Sequence, residues 1–340
     1  MPDSLMTPRD FLETVVARTL SFKRKPHMKR SLLVALACLP VFAFGQAQAQ
    51  TSATAPSAVQ DLSGVSGPPM LGIHWARGFD PSPRLREASK QARRSKSPLM
   101  TYHGGKIMPS SNTEAIFWGS SWASSPGDKI SGMDSWYPGF SNSNYAKTSV
   151  EYTGTNGQVG PMSNYGGHVI DTSASASGAN TSAILAEVCK IVTNPDPTGN
   201  GYYAVYTDTP RGSAGYCAYH SVGSCSGVPV QFAYFFKLDG DTGCDPQDTS
   251  GLHSQGLAAI ANVSGHELAE AITDPASPGA WYDSSGAENG DKCAWTFGGP
   301  LVTFSNGSQW KIQGEWSNNA YTAGTGYPNS SGQSGCLGGQ

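Results

Sequence analysis

Gly265-His266-Glu267-Leu268-Ala269-Glu270-Ala271-Ile272-Thr273-Asp274-Pro275 is the stretch on which the reading of this chain turns. Apolar residues recur at steps of three and four from His253 to Thr273, and no helix breaker intervenes before Pro275, so the spacing predicts a long helix there. Residues four apart on a helix are only about 40° apart on the wheel. His266 and Glu270 can therefore hold one ion, with Glu267 on the neighbouring flank. Two ligands one turn apart, with a carboxylate between them free to take a proton from water, form the helix of a zinc hydrolase. The motif departs from the usual pattern at its last position, where Glu270 stands in place of a second histidine. A carboxylate still ligates zinc, but its negative charge makes the ion a weaker Lewis acid.

A third ligand has to come from elsewhere. Ala287-Glu288-Asn289-Gly290-Asp291-Lys292-Cys293 follows soon after the helix, with Glu288 the first choice and Asp291 the alternative, ahead of His220, Asp274 and Asp283. A disulfide at Cys293 would pin that loop. The competing reading is an ordinary amphipathic helix: Leu257, Ile260, Ala261, Leu268, Ala271 and Ile272 make an apolar stripe away from His266, which would leave His and Glu on a wet face. Charge weighs against it. Only 14% of the chain is charged, yet nine acids from Asp239 to Glu288 occur with no Lys or Arg among them. Such a run repels itself unless cations bind.

Part of that run, Leu238-Asp239-Gly240-Asp241-Thr242-Gly243-Cys244-Asp245-Pro246-Gln247-Asp248, is an acidic turn able to hold calcium, although it matches no EF-hand loop; the alternative is an Asp/Gly turn closed by a disulfide. Other schemes find less support. There is no G-x-S-x-G elbow and no phosphate-binding glycine loop. His103 and His168 sit beside glycines in expected strands and read as structural. A carboxylate-pair glycosidase remains open, given Glu267, Glu270 and Glu288.

Further out, Lys29 and Arg30 after Met28 precede an apolar run from Leu32 to Phe44 and the small-residue site Ala47-Gln48-Ala49. These are the parts of a signal peptide, with cleavage before Gln50, and the run is too short and too broken by Pro40 and Gly45 for stable membrane insertion. The expected organisation is a leader over 1–49, a disordered linker or pro-segment over 50–96 with basic residues from Arg84 to Lys96, and one globular domain over 97–340. A net charge of −3 offers no footprint for nucleic acid. Past the leader the cysteines are Cys189, Cys217, Cys225, Cys244, Cys293 and Cys336, with no CxxC pair, so disulfides are expected in a secreted protein, extracellular or periplasmic. Six cysteines allow 15 pairings and the sequence does not choose among them.

Strands are expected at Pro98–His103, Val169–Ile170, Tyr202–Tyr206 and Val228–Leu238, with helices from Asp128 to about Tyr152, interrupted near Pro138, and from Thr181 to Val192. Val302–Phe304 and Trp310–Trp316 read as a closing hairpin.

Tyr102-His103-Gly104-Gly105, Cys217-Ala218-Tyr219-His220, the Gly265 to Pro275 helix, Ala280-Trp281-Tyr282, the Glu288 to Cys293 loop and Gln313-Gly314-Glu315-Trp316-Ser317-Asn318 resemble the phosphate-induced protein 1 (EXORDIUM-like) family, its bacterial branch more than its plant one. The resemblance runs from about Leu99 to Cys336. Plant members tend to carry Asn-Pro at Asp274-Pro275, which lowers Asp274 as a required ligand. The resemblance implies an extracellular protein associated with the cell wall and lends no enzymatic activity. From the residues, the expectation is an α+β, zincin-like single domain with a mixed sheet, a central metal-site helix and disulfides. His266, Glu270 and Glu288 would hold zinc, Glu267 would be the general base, and the substrate would be a peptide lying along Val228–Leu238 as an edge strand. The alternative is a non-catalytic protein that binds cell-wall polysaccharide through exposed Trp and Tyr, with a structural metal. No oligomeric state follows from the sequence.

Overall fold

Val228–Lys237, VPVQFAYFFK, is apolar at nearly every position, the pattern of a strand covered on both faces, and Val230 to Phe236 are indeed buried. It is the middle of a six-stranded sheet. The structure, a computed structural model, describes residues 67–79, 97–276 and 278–339, all within one compact unit. The expected leader and cleavage site and the basic residues from Arg84 to Lys96 lie outside the described residues.

The sheet is built from β1 (Ile73–Trp75), β2 (Ser111–Trp118), β3 (Ser163–Asp171), β4 (Gly201–Pro210), β5 (Tyr216–Cys225) and β6 (Val228–Lys237). Their order across the sheet is β1-β5-β6-β4-β2-β3. The pairs β3–β2, β2–β4 and β4–β6 run parallel, whereas β6–β5 and β5–β1 run antiparallel. The fold is therefore a mixed α+β domain. Two expectations change here. Val228–Lys237 is interior, so it is not an edge along which a peptide could lie. Residues 67–79, expected in a linker or pro-segment, supply the edge strand β1, with Met70, Ile73 and Ala76 buried.

Helices cover both faces. α1 (Lys129–Phe140) and α3 (Gln255–Thr273) lie on one side, where Tyr206 of β4 hydrogen-bonds Ser264 of α3 at 2.7 Å and Tyr137 of α1 at 2.8 Å. α2 (Thr181–Ile191) lies on the other, with Leu185 against Gly223 of β5. Successive strand residues alternate faces. His220, three positions before Gly223, thus points to α3 while Tyr219 points to α2's side.

Ser254 caps α3 by accepting from the Leu257 N–H at 3.1 Å, and its own hydroxyl donates to Asp128 at 2.6 Å. At the far end the Asp274 N–H closes on the Glu270 carbonyl and Pro275 prevents continuation. Every residue from Gly256 to Thr273 is buried, so the helix has no wet face. A solvated surface for His266 and Glu270 is thereby excluded.

Three disulfides, Cys189–Cys225, Cys217–Cys244 and Cys293–Cys336, join the six cysteines other than Cys38 and are consistent with an oxidising compartment. No described helix is long and apolar enough to cross a membrane. Two smaller expectations fail. The segment at Pro98–His103 keeps only an exposed two-residue strand, Thr101–Tyr102, paired with Trp281–Tyr282, and the closing hairpin is limited to Val302–Thr303 with Gln309–Trp310. Glu315–Trp316 pairs instead with the chain's last strand, Ser334–Leu337.

Candidate metal centre

Three elements converge on Glu270. α3 supplies His266, Glu267 and Glu270; β5 supplies His220; and α4 (Asn289–Lys292), with its N-cap Glu288, supplies the loop acids. Gly290 allows the approach, because a Cβ there would lie 2.9 Å from His266 Nδ1 and 3.0 Å from Glu270 Oε1. Cys293–Cys336 anchors the turn that follows, as expected.

His266 Nε2 lies 3.0 Å from Glu270 Oε1 and 3.9 Å from Asp291 Oδ1. His220 Nδ1 lies 3.5 Å from Glu267 Oε2 and 3.6 Å from Glu270 Oε2, and its Nε2 lies 3.8 Å from Glu288 Oε2. Two groups of donor atoms compact enough for a cation follow, His220–Glu267–Glu270 and His266–Glu270–Asp291, sharing Glu270. The helix pair His266 and Glu270 thus comes together as expected. Glu288 joins from the side of His220, whereas Asp291 joins from the side of His266. Asp283 stands apart, paired with Lys292 at 2.9 Å, and Asp274 is spent on the Ala280 N–H. His168 pairs with Asp134 at the surface and His103 stacks on Tyr282, so both have structural partners.

The two groups differ in how many polar atoms they leave without hydrogen bonds. On the His220 side both ring nitrogens, both Glu267 oxygens, Glu270 Oε2 and Glu288 Oε2 are buried without a hydrogen-bond partner. On the other side Glu270 Oε1 accepts the Asp291 N–H at 2.9 Å. Gln313 Nε2 is held 2.8 Å from the Gly290 carbonyl, which orients the amide and turns an N–H toward His266 Nδ1 at 3.0 Å. In the neutral ring that contact puts the His266 proton on Nε2, facing Glu270. His266 Nε2, although 3.0 Å from Glu270 Oε1, also makes no hydrogen bond, but with six such atoms the His220 side is the emptier cage. A buried polar atom left unbonded costs about 1–3 kcal/mol, more when charged, so the unbonded Nδ1 of His220 facing Glu267 Oε2 and Glu270 Oε2 fits a bound cation, with Glu288 at the ring's other nitrogen.

The electrostatics agree. Glu267, Glu270, Glu288 and Asp291 form no ion pair with Lys or Arg among the described residues. Burial raises Glu267, pushes Glu288 well above the carboxylate range and lifts Asp291 to about 8. Burial opposes protonation of His266, but Glu270 and then Glu267 overcome it and hold the ring at about 9. Burial would also raise Glu270, yet the facing His266 and His220 bring it down to about 2. The two imidazoles are the only basic side chains facing these acids among the described residues, and a divalent cation would balance their charge.

His220 and His74 are the parts that sequence reasoning undervalued or missed. His220 ranked behind Glu288 and Asp291 because β5 was not read as a strand. His74, assigned to the linker, is fully buried, donates to Gln313 Oε1 at 2.9 Å and meets His266 edge-on at 4.2 Å. Burial keeps His74 well below the usual histidine range, hence neutral. Its only signal was the short apolar run Met70-Leu71-Gly72-Ile73-His74-Trp75-Ala76 amid polar sequence.

The acidic turn behaves differently. Asp239 pairs with Lys129 at 2.7 Å, and Asp241 receives Arg211 at 2.6 and 3.0 Å as well as the N–H groups of Gly243 and Cys244. Cys217–Cys244 closes it, and it is not among the cation-compatible groups of the described residues. These contacts match the Asp/Gly turn closed by a disulfide, the reading set against a calcium loop. No family model, curated protein or solved structure matches this chain.

Proposed function

We propose that the protein is a secreted metal-dependent hydrolase of zincin-like design, acting on peptide bonds. The observation that carries this reading is the set of unbonded, buried donor atoms of His220, Glu267 and Glu270, close enough together for one cation, with Glu288 on the other edge of the His220 ring. Nitrogen and oxygen donors of this kind suit zinc. When bound, the ion supplies Lewis-acid polarisation of a substrate carbonyl. The protein's own groups do the rest. Glu267 Oε2 faces His220 and the cage, while Oε1 is left free to take a proton, which keeps Glu267 as the general base. His266 Nε2 faces Glu270 at 3.0 Å, and Gln313 orients the His266 ring.

The test is turnover of casein and peptidoglycan peptides at saturating zinc, wild type against Glu267→Gln. A loss of at least about 100-fold in kcat is expected for a missing base; equal turnover would remove the assignment. A second reading, a cell-wall polysaccharide-binding protein with a structural ion, is favoured by one feature, the aromatic group in which exposed Tyr102 meets Trp281 at 5.5 Å and His103 stacks on Tyr282. Glycan binding that survives chelation, with no hydrolysis, would establish it instead.

A further inference from the structure

The centre is sealed: His220, Glu267 and Glu270 are fully buried, so a substrate reaches them only if a covering element leaves. Residues 67–79 are a cover held by non-covalent contacts alone, among them His74 to Gln313, Ser221 to the Pro69 carbonyl and Trp295 to the Trp75 carbonyl. They contain no cysteine, and their strand β1 is three residues long at the end of the sheet. β5 and α4, by contrast, are tied by Cys217–Cys244 and Cys293–Cys336.

The way this segment lies on β5 is that of a bound peptide. The Leu71 N–H donates to the His220 carbonyl at 2.9 Å, the His220 N–H donates to the Gly72 carbonyl at 3.1 Å, and the register continues through Ile73 opposite Tyr219 and His74 opposite Ala218. His220 therefore holds the segment with its backbone and faces the acids with its ring. Gly72 sits directly on the centre, because a Cβ there would come within 1.9 Å of Glu270 Oε2 and 2.5 Å of the His220 ring.

We propose that the outer edge of β5 is a peptide-binding edge, and that residues 70–76 are its built-in occupant, holding the place of an extended peptide with glycine over Glu270 and His220. Strand addition to an open edge recognises main chain first and side chains at alternate positions second. The selected ligand is thus an extended peptide with glycine at the position of Gly72 and an apolar residue at that of the buried Ile73. What becomes of that peptide rests on the hydrolase reading, but its binding does not.

A site for a sequence-specific protease, introduced within residues 80–96 of the full chain, allows the segment to be cut and exchanged. The cut protein is expected to bind a labelled synthetic peptide of residues 67–79, and the uncut protein to bind it at least about tenfold more weakly, since its own segment competes at high effective concentration. A Gly72→Ala version of the peptide should bind at least about tenfold more weakly than the parent peptide. Failure to bind, equal binding of both peptides, or loss of the cooperative thermal transition once the segment is displaced would each overturn the proposal. In the uncut protein, backbone amides of residues 71–76 should exchange at least about tenfold faster than those of α3; equal protection would also overturn it. Peptide binding without turnover would remove only the hydrolase, and turnover without the Gly72 preference would remove only the edge.

Discussion

Two acidic regions of this chain, consecutive in sequence, come to opposite ends in the fold. The turn from Asp239 to Asp248 is answered by cations brought from far along the chain, Lys129 to Asp239 and Arg211 to Asp241. The pocket of Glu267, Glu270, Glu288 and Asp291 receives only imidazoles among the described residues. Acidic density along the sequence is therefore weak evidence for a cation. What distinguishes the pocket is burial without counter-charge and donor atoms without hydrogen bonds.

That contrast can be broken most forcefully at Glu270, the residue shared by both donor groups. Glu270→Gln should weaken zinc binding by more than the roughly 10–100-fold typical of an outer-shell partner. Measured by competition with a chelating dye, Asp241→Asn should leave the affinity unchanged; comparable losses in both variants would erase the distinction.

Glu315 asks whether burial alone disfavours an ionised carboxyl beside the pocket. Burial raises its carboxyl to about 8, against the Ser149 hydroxyl that donates to it at 2.6 Å. The folded state keeps this proton where the unfolded chain has already released it. The stabilisation is thus complete below the usual carboxylate range and falls as pH rises to about 8, at roughly 1.4 kcal/mol per pH unit. Other raised carboxyls, Asp274 and Asp291 among them, add to the wild-type slope, so denaturant titrations from pH 5 to 8 should show Glu315→Gln flatter than wild type by up to about this amount. Parallel slopes would mean that Glu315 is already ionised.

Asp241→Asn carries the smallest effect. It weakens the pairing with Arg211 and two N–H contacts of the turn, for an expected loss of about 1–3 kcal/mol in stability with zinc content intact. A neutral result would show that Cys217–Cys244 alone holds the turn.

The helix was legible because a period of 3.6 and a pair of ligands four residues apart are local properties. Its complete burial was not, since that depends on α1, β5 and the loop at Glu288 arriving together. His220 was undervalued for the same reason: Ser221, Gly223 and Ser224 blur the apolar pattern of β5, and its pairing with β6 is what makes it a strand. β6 was recognised as a strand but misplaced at an edge, although its apolar run already implied two covered faces. β1 was lost because three residues cannot outweigh the polar composition around them. The charge argument was sound for the pocket and unsound for the turn, because Lys129 and Arg211 lie more than a hundred and about thirty residues from where they act, respectively, along the chain.

The most direct test is elemental analysis of the purified protein, paired with thermal melts before and after chelation. At least one equivalent of zinc or another divalent ion per chain is predicted, retained in Asp241→Asn and lost in Glu270→Gln. A wild-type protein that holds no ion after reconstitution, and melts identically with and without chelator, would contradict the account.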